Sequence, residues 1–144
     1  MTRIEDRGTT AHTLMTVDRA LELHDVALAA WGGLPGPADP AACLDAAIGA
    51  AHTAETYLEG KKAAKAGLAF AGYALFYVVR RHCFSDGNKR VGWMIAVDVL
   101  ASLGLGVTAS EDDVVAMVEQ VISHQIDSGE EVAAWLSTRL YAIS

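Results

Sequence analysis

The stretch His82-Cys83-Phe84-Ser85-Asp86-Gly87-Asn88-Lys89-Arg90 separates two long apolar segments, Ala66 to Val79 and Val91 to Leu105. A segment apolar on every side belongs to a buried helix, so these nine residues read as a loop joining two central helices. They also hold the densest chemistry in the chain: an imidazole, a carboxylate, a glycine, a carboxamide and two cations. Abundant alanine and the scarcity of Thr/Ile runs favour helix over sheet on either side.

Upstream, Lys61-Lys62 opens the helix that reaches Arg81, with Tyr73 and Tyr77 one turn apart on its surface. Before it, Asp39-Pro40 is an N-cap followed by proline at the first helical position. That helix turns Cys43, Leu44, Ala47 and Ile48 inward and closes at Glu59-Gly60. Gly32-Gly33-Leu34-Pro35-Gly36-Pro37 stops a first helix that Thr16 caps and that carries Val17, Leu21, Leu23, Ala27, Leu28 and Trp31 at helical spacing. Downstream, a fourth helix buries Trp93, Ile95, Val97, Leu100 and Leu103 and stops at Gly104. Ser110 with Asp113, and Ser128 with Glu131, are capping-box-like starts for a helix through about Ile126 and a last one ending near Tyr141. No stretch alternates long enough to predict a strand, beyond a brief hairpin within the loop. The prediction is a compact all-α bundle over residues 16–144, preceded by a polar extension, residues 1–15.

The 144 residues carry a net charge of -7, which argues against holding nucleic acid by general electrostatics. Glu5 and Asp6 make the N-terminus unlike a signal peptide. The longest unbroken apolar run is too short to span a bilayer. Two distant cysteines, Cys43 and Cys83, with no C-x-x-C, predict a reduced cytoplasmic protein rather than a disulfide-stapled secreted one.

A helix beginning near Asn88 presents free backbone N–H groups and the positive end of its dipole, which together suit an anion. Lys89 and Arg90 in that first turn oppose the dipole, and a bound anion explains them best. Gly87 permits close backbone approach, and Asn88 can donate through its amide. Asp86 supplies a hard oxygen suited to Mg2+. His82 titrates in the range needed to take a proton from a hydroxyl. These features describe a nucleotide-phosphate site with a base beside it, for phosphoryl or nucleotidyl transfer. The plainer alternative is a common Asp-Gly-Asn turn, with Asp86 and His82 capping the flanking helices.

The stretch resembles the Fic/Doc loop, H-x-F-x-(D/E)-(G/A)-N-(G/K)-R, and most closely the death-on-curing (Doc) toxin branch. Leu23-His24-Asp25, Gly32 to Gly36 with Asp39-Pro40, and Trp135-Leu136 extend the likeness over most of the chain. The resemblance implies a Fic-fold helical bundle with the active-site loop joining two central helices. It makes His82 the base and Asp86 the Mg2+ ligand. It places Gly87, Asn88, Lys89 and Arg90 on nucleotide phosphates, adds Arg80 as a further phosphate contact, and assigns Gly33, Leu34 and Gly36 to a flap over the target segment.

AMP-transferring relatives resemble G-N-G-R-x-x-R, with glycine where this chain has Lys89 and arginine where it has Trp93. By resemblance, Doc-like proteins share the lysine and transfer the γ-phosphate of ATP to a threonine of elongation factor Tu, arresting translation. Gly87 departs from the Doc alanine and matches the AMP-transferring form. The inhibitory pattern (S/T)-x-x-x-E-(G/N) is unmet, because Glu55 stands four residues before Glu59-Gly60. A separate antitoxin, folding as a helix into a groove, is the expected restraint. Adenylyl transfer and a non-catalytic peptide-binding module are the alternatives.

Overall fold

The structure is a computed structural model that describes residues 15–31, 40–56, 63–81 and 88–143. Its axis is α3 (Ala63–Arg81), which packs against α2 (Pro40–Thr56), α4 (Asn88–Ser102), α5 (Glu111–Ile122) and α6 (Gly129–Ser137). Helix α1 (Val17–Trp31) packs on α2 and α4. Because α3 has neighbours on several sides, Phe70, Ala71, Ala74, Leu75, Phe76, Val78 and Val79 are all buried. Each large apolar side chain so enclosed contributes roughly 1.5–3 kcal/mol. The continuous apolar run in the sequence is the signature of this central position.

Close helix approach depends on glycine at one crossing. A Cβ at Gly72 would lie 2.7 Å from the backbone nitrogen of Ala133 and 2.7 Å from the carbonyl oxygen of Gly129. Tyr73 packs on Gly129 from the same crossing, since a Cβ there would lie 2.5 Å from the tyrosine Cγ. Burial first, and the Glu130 carboxylate second, raise the Tyr73 hydroxyl pKa. Its ring stands 6.1 Å from that of Tyr77.

Several local signals act as the sequence implies. Thr16 Oγ1 accepts from Arg19 N at 3.0 Å, Ser110 from Asp113 N and Ser128 from Glu131 N. Leu44, Ala47 and Ile48 face inward from α2, with Cys43 half-buried beside them. Asp98, the charge inside an apolar segment, pairs with Arg19 at 2.8 Å. Met15, assigned to the polar extension by sequence, is instead one of the most buried side chains.

Other boundaries differ. Helix α5 ends at Ile122 rather than Ile126, because His124 takes a left-handed φ of 68° and the Ile126 amide turns back to the Gln120 carbonyl. Helix α6 ends at Ser137 rather than near Tyr141. The chain continues as β2 (Leu140–Ala142), antiparallel to β1 (Leu105–Val107), with Gly106 opposite Tyr141. Strands of three residues are too short to show alternation. No described helix is long and apolar enough to cross a membrane. One expectation is overturned: Cys43 is disulfide-bonded, not a reduced thiol.

Candidate active site

The motif lies where α3 ends and α4 begins. Gly92, in the second turn of α4, sets the distance between them. A Cβ there would meet Val79 Cγ2 at 3.0 Å and the Leu75 carbonyl oxygen at 3.5 Å. Val79 and Val91 are both buried, so the two helix ends that bracket the motif are fixed by the core.

Helix α4 starts at Asn88, which puts Lys89 and Arg90 in its first turn with no acidic residue among them. The other well-capped helices of this chain are built oppositely. Helix α5 has a serine cap and Glu111, Asp112 and Asp113 in its first turn, and α6 has a serine cap with Glu130 and Glu131. Acids there complement the dipole, whereas cations oppose it by a few tenths of a kcal/mol to about 1 kcal/mol each. Arg90 is exposed at this helix start. The side chains of Asn88 and Lys89, and the whole of His82 to Gly87, lie outside the described residues, as do Gly33, Leu34 and Gly36. Of the sequence-nominated residues, the structure therefore places Arg80 and Arg90 in full, and the backbone of Asn88 and Lys89.

Arg80 is turned toward the α5–α6 connection. Its Nε donates to the Val121 carbonyl at 2.8 Å, and its Nη2 to the Ile126 carbonyl at 3.3 Å and to Asp127 Oδ1 at 2.6 Å. The guanidinium also lies 4.8 Å from the Phe76 ring centroid. These contacts strap the last turn of α3 to the α5–α6 turn, whereas the resemblance assigns Arg80 a phosphate contact. The Arg80 hydrogen bond first, and the His124 contact second, hold the Asp127 carboxyl below its ordinary pKa of 3.8. The capping box at Ser128 shapes this turn, since the Glu131 carboxylate accepts from Asp127 N at 2.9 Å. Asp127 and Phe76 were not nominated by sequence, although the arginine near the end of α3 and the capping box were visible signals.

Trp93, on the turn of α4 after Lys89 and Arg90, stands edge-on to Trp135 at 6.2 Å. Arg139 covers the other ring at 3.9 Å. This stack ties α4 to α6.

The domain is all-α, its central helix pair brackets a cation-rich helix start, and a histidine and an aspartate lie in the sequence between the two helices. The sequence model of the Fic/DOC family matches residues 14–100, more than half the chain and the whole of the motif. The protein belongs to the Fic/DOC family. Its all-α architecture is of the Fic type. Members are transferases that act on proteins and use nucleoside triphosphates, and they include both kinase-type and AMP-transferring enzymes. No curated protein matches the chain.

Proposed function

We propose that the protein is a Doc-type toxin that transfers the γ-phosphate of ATP to a Ser/Thr hydroxyl of a translation factor, elongation factor Tu by resemblance. The observation that carries this reading is Lys89, the second residue of α4, where AMP-transferring relatives have glycine. A lysine at a helix start occupies space that glycine leaves for phosphates and adds a charge there. Trp93, packed on Trp135, stands where those relatives place a second phosphate-holding arginine.

In this reading His82 accepts the proton of the target hydroxyl as its oxygen attacks the γ-phosphorus. The bond from the γ-phosphorus to the β,γ-bridging oxygen breaks, and ADP leaves. The Gly87 amide, Asn88, Lys89 and Arg90 hold the phosphates and offset the developing charge. The donor set suits Mg2+: Asp86 offers one hard oxygen two residues ahead of a helix start whose N–H groups and cations take phosphate oxygens, and the ion would supply charge neutralisation at those oxygens. Gly33, Leu34 and Gly36 form the flap that holds the target segment. A translation factor as target puts the site of action in the cytoplasm, with a cognate antitoxin as the restraining partner.

Adenylyl transfer is the second reading, favoured by Gly87. Incubation of the protein with a bacterial lysate and either γ-labelled or α-labelled ATP separates the two. Protein labelled by the γ-phosphate alone supports the kinase, and label from the α-phosphate alone replaces it with AMP transfer.

A further inference from the structure

From Phe70 to Val79, α3 is buried at every position except Tyr73 and Tyr77, which are half-buried. Arg81, four residues beyond Tyr77, is exposed at the end of the helix. Residues at i, i+4 and i+8 share one face of a helix. The central helix of the bundle therefore keeps one line that the core does not seal, and two aromatic rings and a cation fill it. We infer that this Tyr73–Tyr77–Arg81 line is a docking surface for an acidic segment of a protein partner, with a carboxylate on Arg81 and an apolar side chain on the tyrosine rings. Nothing in this surface depends on which group the protein transfers.

Charge names the occupant. Arg19 pairs with Asp98 at 2.8 Å and Arg80 with Asp127 at 2.6 Å, while Arg139 donates to the Trp135 carbonyl at 2.8 Å. Arg81 meets no carboxylate among the described residues; its guanidinium lies 5.5 Å from the Tyr77 ring centroid. A planar fork held over an aromatic face is matched to a carboxylate, which it binds through two parallel hydrogen bonds. At the other end of the line, the Glu130 carboxylate stands beside Tyr73. It repels an acid there, so the partner's carboxylate falls at Arg81.

The aromatic pair supplies the apolar half of the surface. The rings of Tyr73 and Tyr77 stand 6.1 Å apart, and Phe76 meets Tyr77 edge-on at 5.3 Å, so the outer rings rest on the core. Tyr and Arg are enriched among the residues that carry interface energy. The helix dipole accounts for a cation at this end of α3, but not for two tyrosines in line with it on a helix buried elsewhere. Eight residues of helix span about 12 Å, which a short peptide segment covers.

The test is fluorescence anisotropy of a fluorescein-labelled random glutamate–tyrosine copolymer titrated with the full chain at physiological salt. The net charge of -7 repels this probe, so only a local site can hold it. Wild type should bind saturably. Arg81→Ala should weaken binding about ten-fold or more, and Tyr77→Ala about five-fold, with folding of each variant verified by circular dichroism. Thr53→Glu changes the net charge as much as Arg81→Ala does, at an exposed position of α2, and should bind within about two-fold of wild type. No binding by wild type, or equal weakening by Thr53→Glu and Arg81→Ala, overturns the docking surface. Binding lost in Arg90→Ala but kept in Arg81→Ala moves the probe to the start of α4 and overturns it too. Sedimentation that shows wild type self-associating, and Arg81→Ala not, gives the surface to a second copy and overturns the acidic partner.

Discussion

Replacing Arg80 with methionine keeps an apolar side chain and removes the guanidinium, together with its place over the Phe76 ring. The carbonyls of Val121 and Ile126 then lose charge-assisted donors at 2.8 and 3.3 Å. A hydrogen bond to a charged group contributes roughly 1.5–3 kcal/mol, and the longer bond belongs at the low end. The Asp127 contact is omitted from the sum because that carboxylate is exposed and screened. The loss is then about 3 kcal/mol, which for a chain of this size lowers Tm by about 10 °C. Thermal unfolding followed by circular dichroism reads that shift, and ATP titration of the folded protein reads the site. Arg80→Met should unfold earlier yet bind ATP within about two-fold of wild type, because the structure turns the guanidinium to the α5–α6 connection. An unchanged Tm with ATP affinity about ten-fold weaker would refute this reasoning and return Arg80 to the phosphates.

Gly72→Ala should destabilise by about 1–3 kcal/mol, since the added methyl meets backbone of α6 that no rotamer change can clear; denaturant unfolding measures it. Asp127 has a folded pKa below its ordinary value, so its contribution is present above 3.8 and is lost as pH falls through the folded value. The Asp127→Asn variant should therefore show a flatter acid limb in stability against pH, and wild-type and variant curves that stay parallel across the whole acid limb would contradict the Arg80 pairing.

Much of the fold is legible because it rests on local rules. Serine caps at 110 and 128, the Asp39-Pro40 start and the apolar centre of α3 each specify helix without reference to distant residues. The motif is legible for the same reason, being contiguous. What the sequence hides is decided by pairing across the chain. The Arg80 strap needs Val121 and the α5–α6 turn, 41 to 47 residues later. Strands β1 and β2 exist only because Gly104 and the end of α6 bring two short segments together. Disulfide bonding at Cys43 joins residues whose separation in sequence says nothing of their proximity, and general compartment statistics pointed the other way. The polar extension loses Met15 to the core because one apolar residue before a capping threonine carries no periodic signal.

In the proposed function, His82 and Lys89 serve transfer of one phosphoryl group. Intact-mass spectrometry of purified elongation factor Tu, incubated with Mg-ATP and either wild type or His82→Ala, tests it most directly. Wild type should add the mass of one phosphoryl group, and His82→Ala should add nothing. An added adenylyl group, or the same phosphoryl addition with His82→Ala, would contradict it.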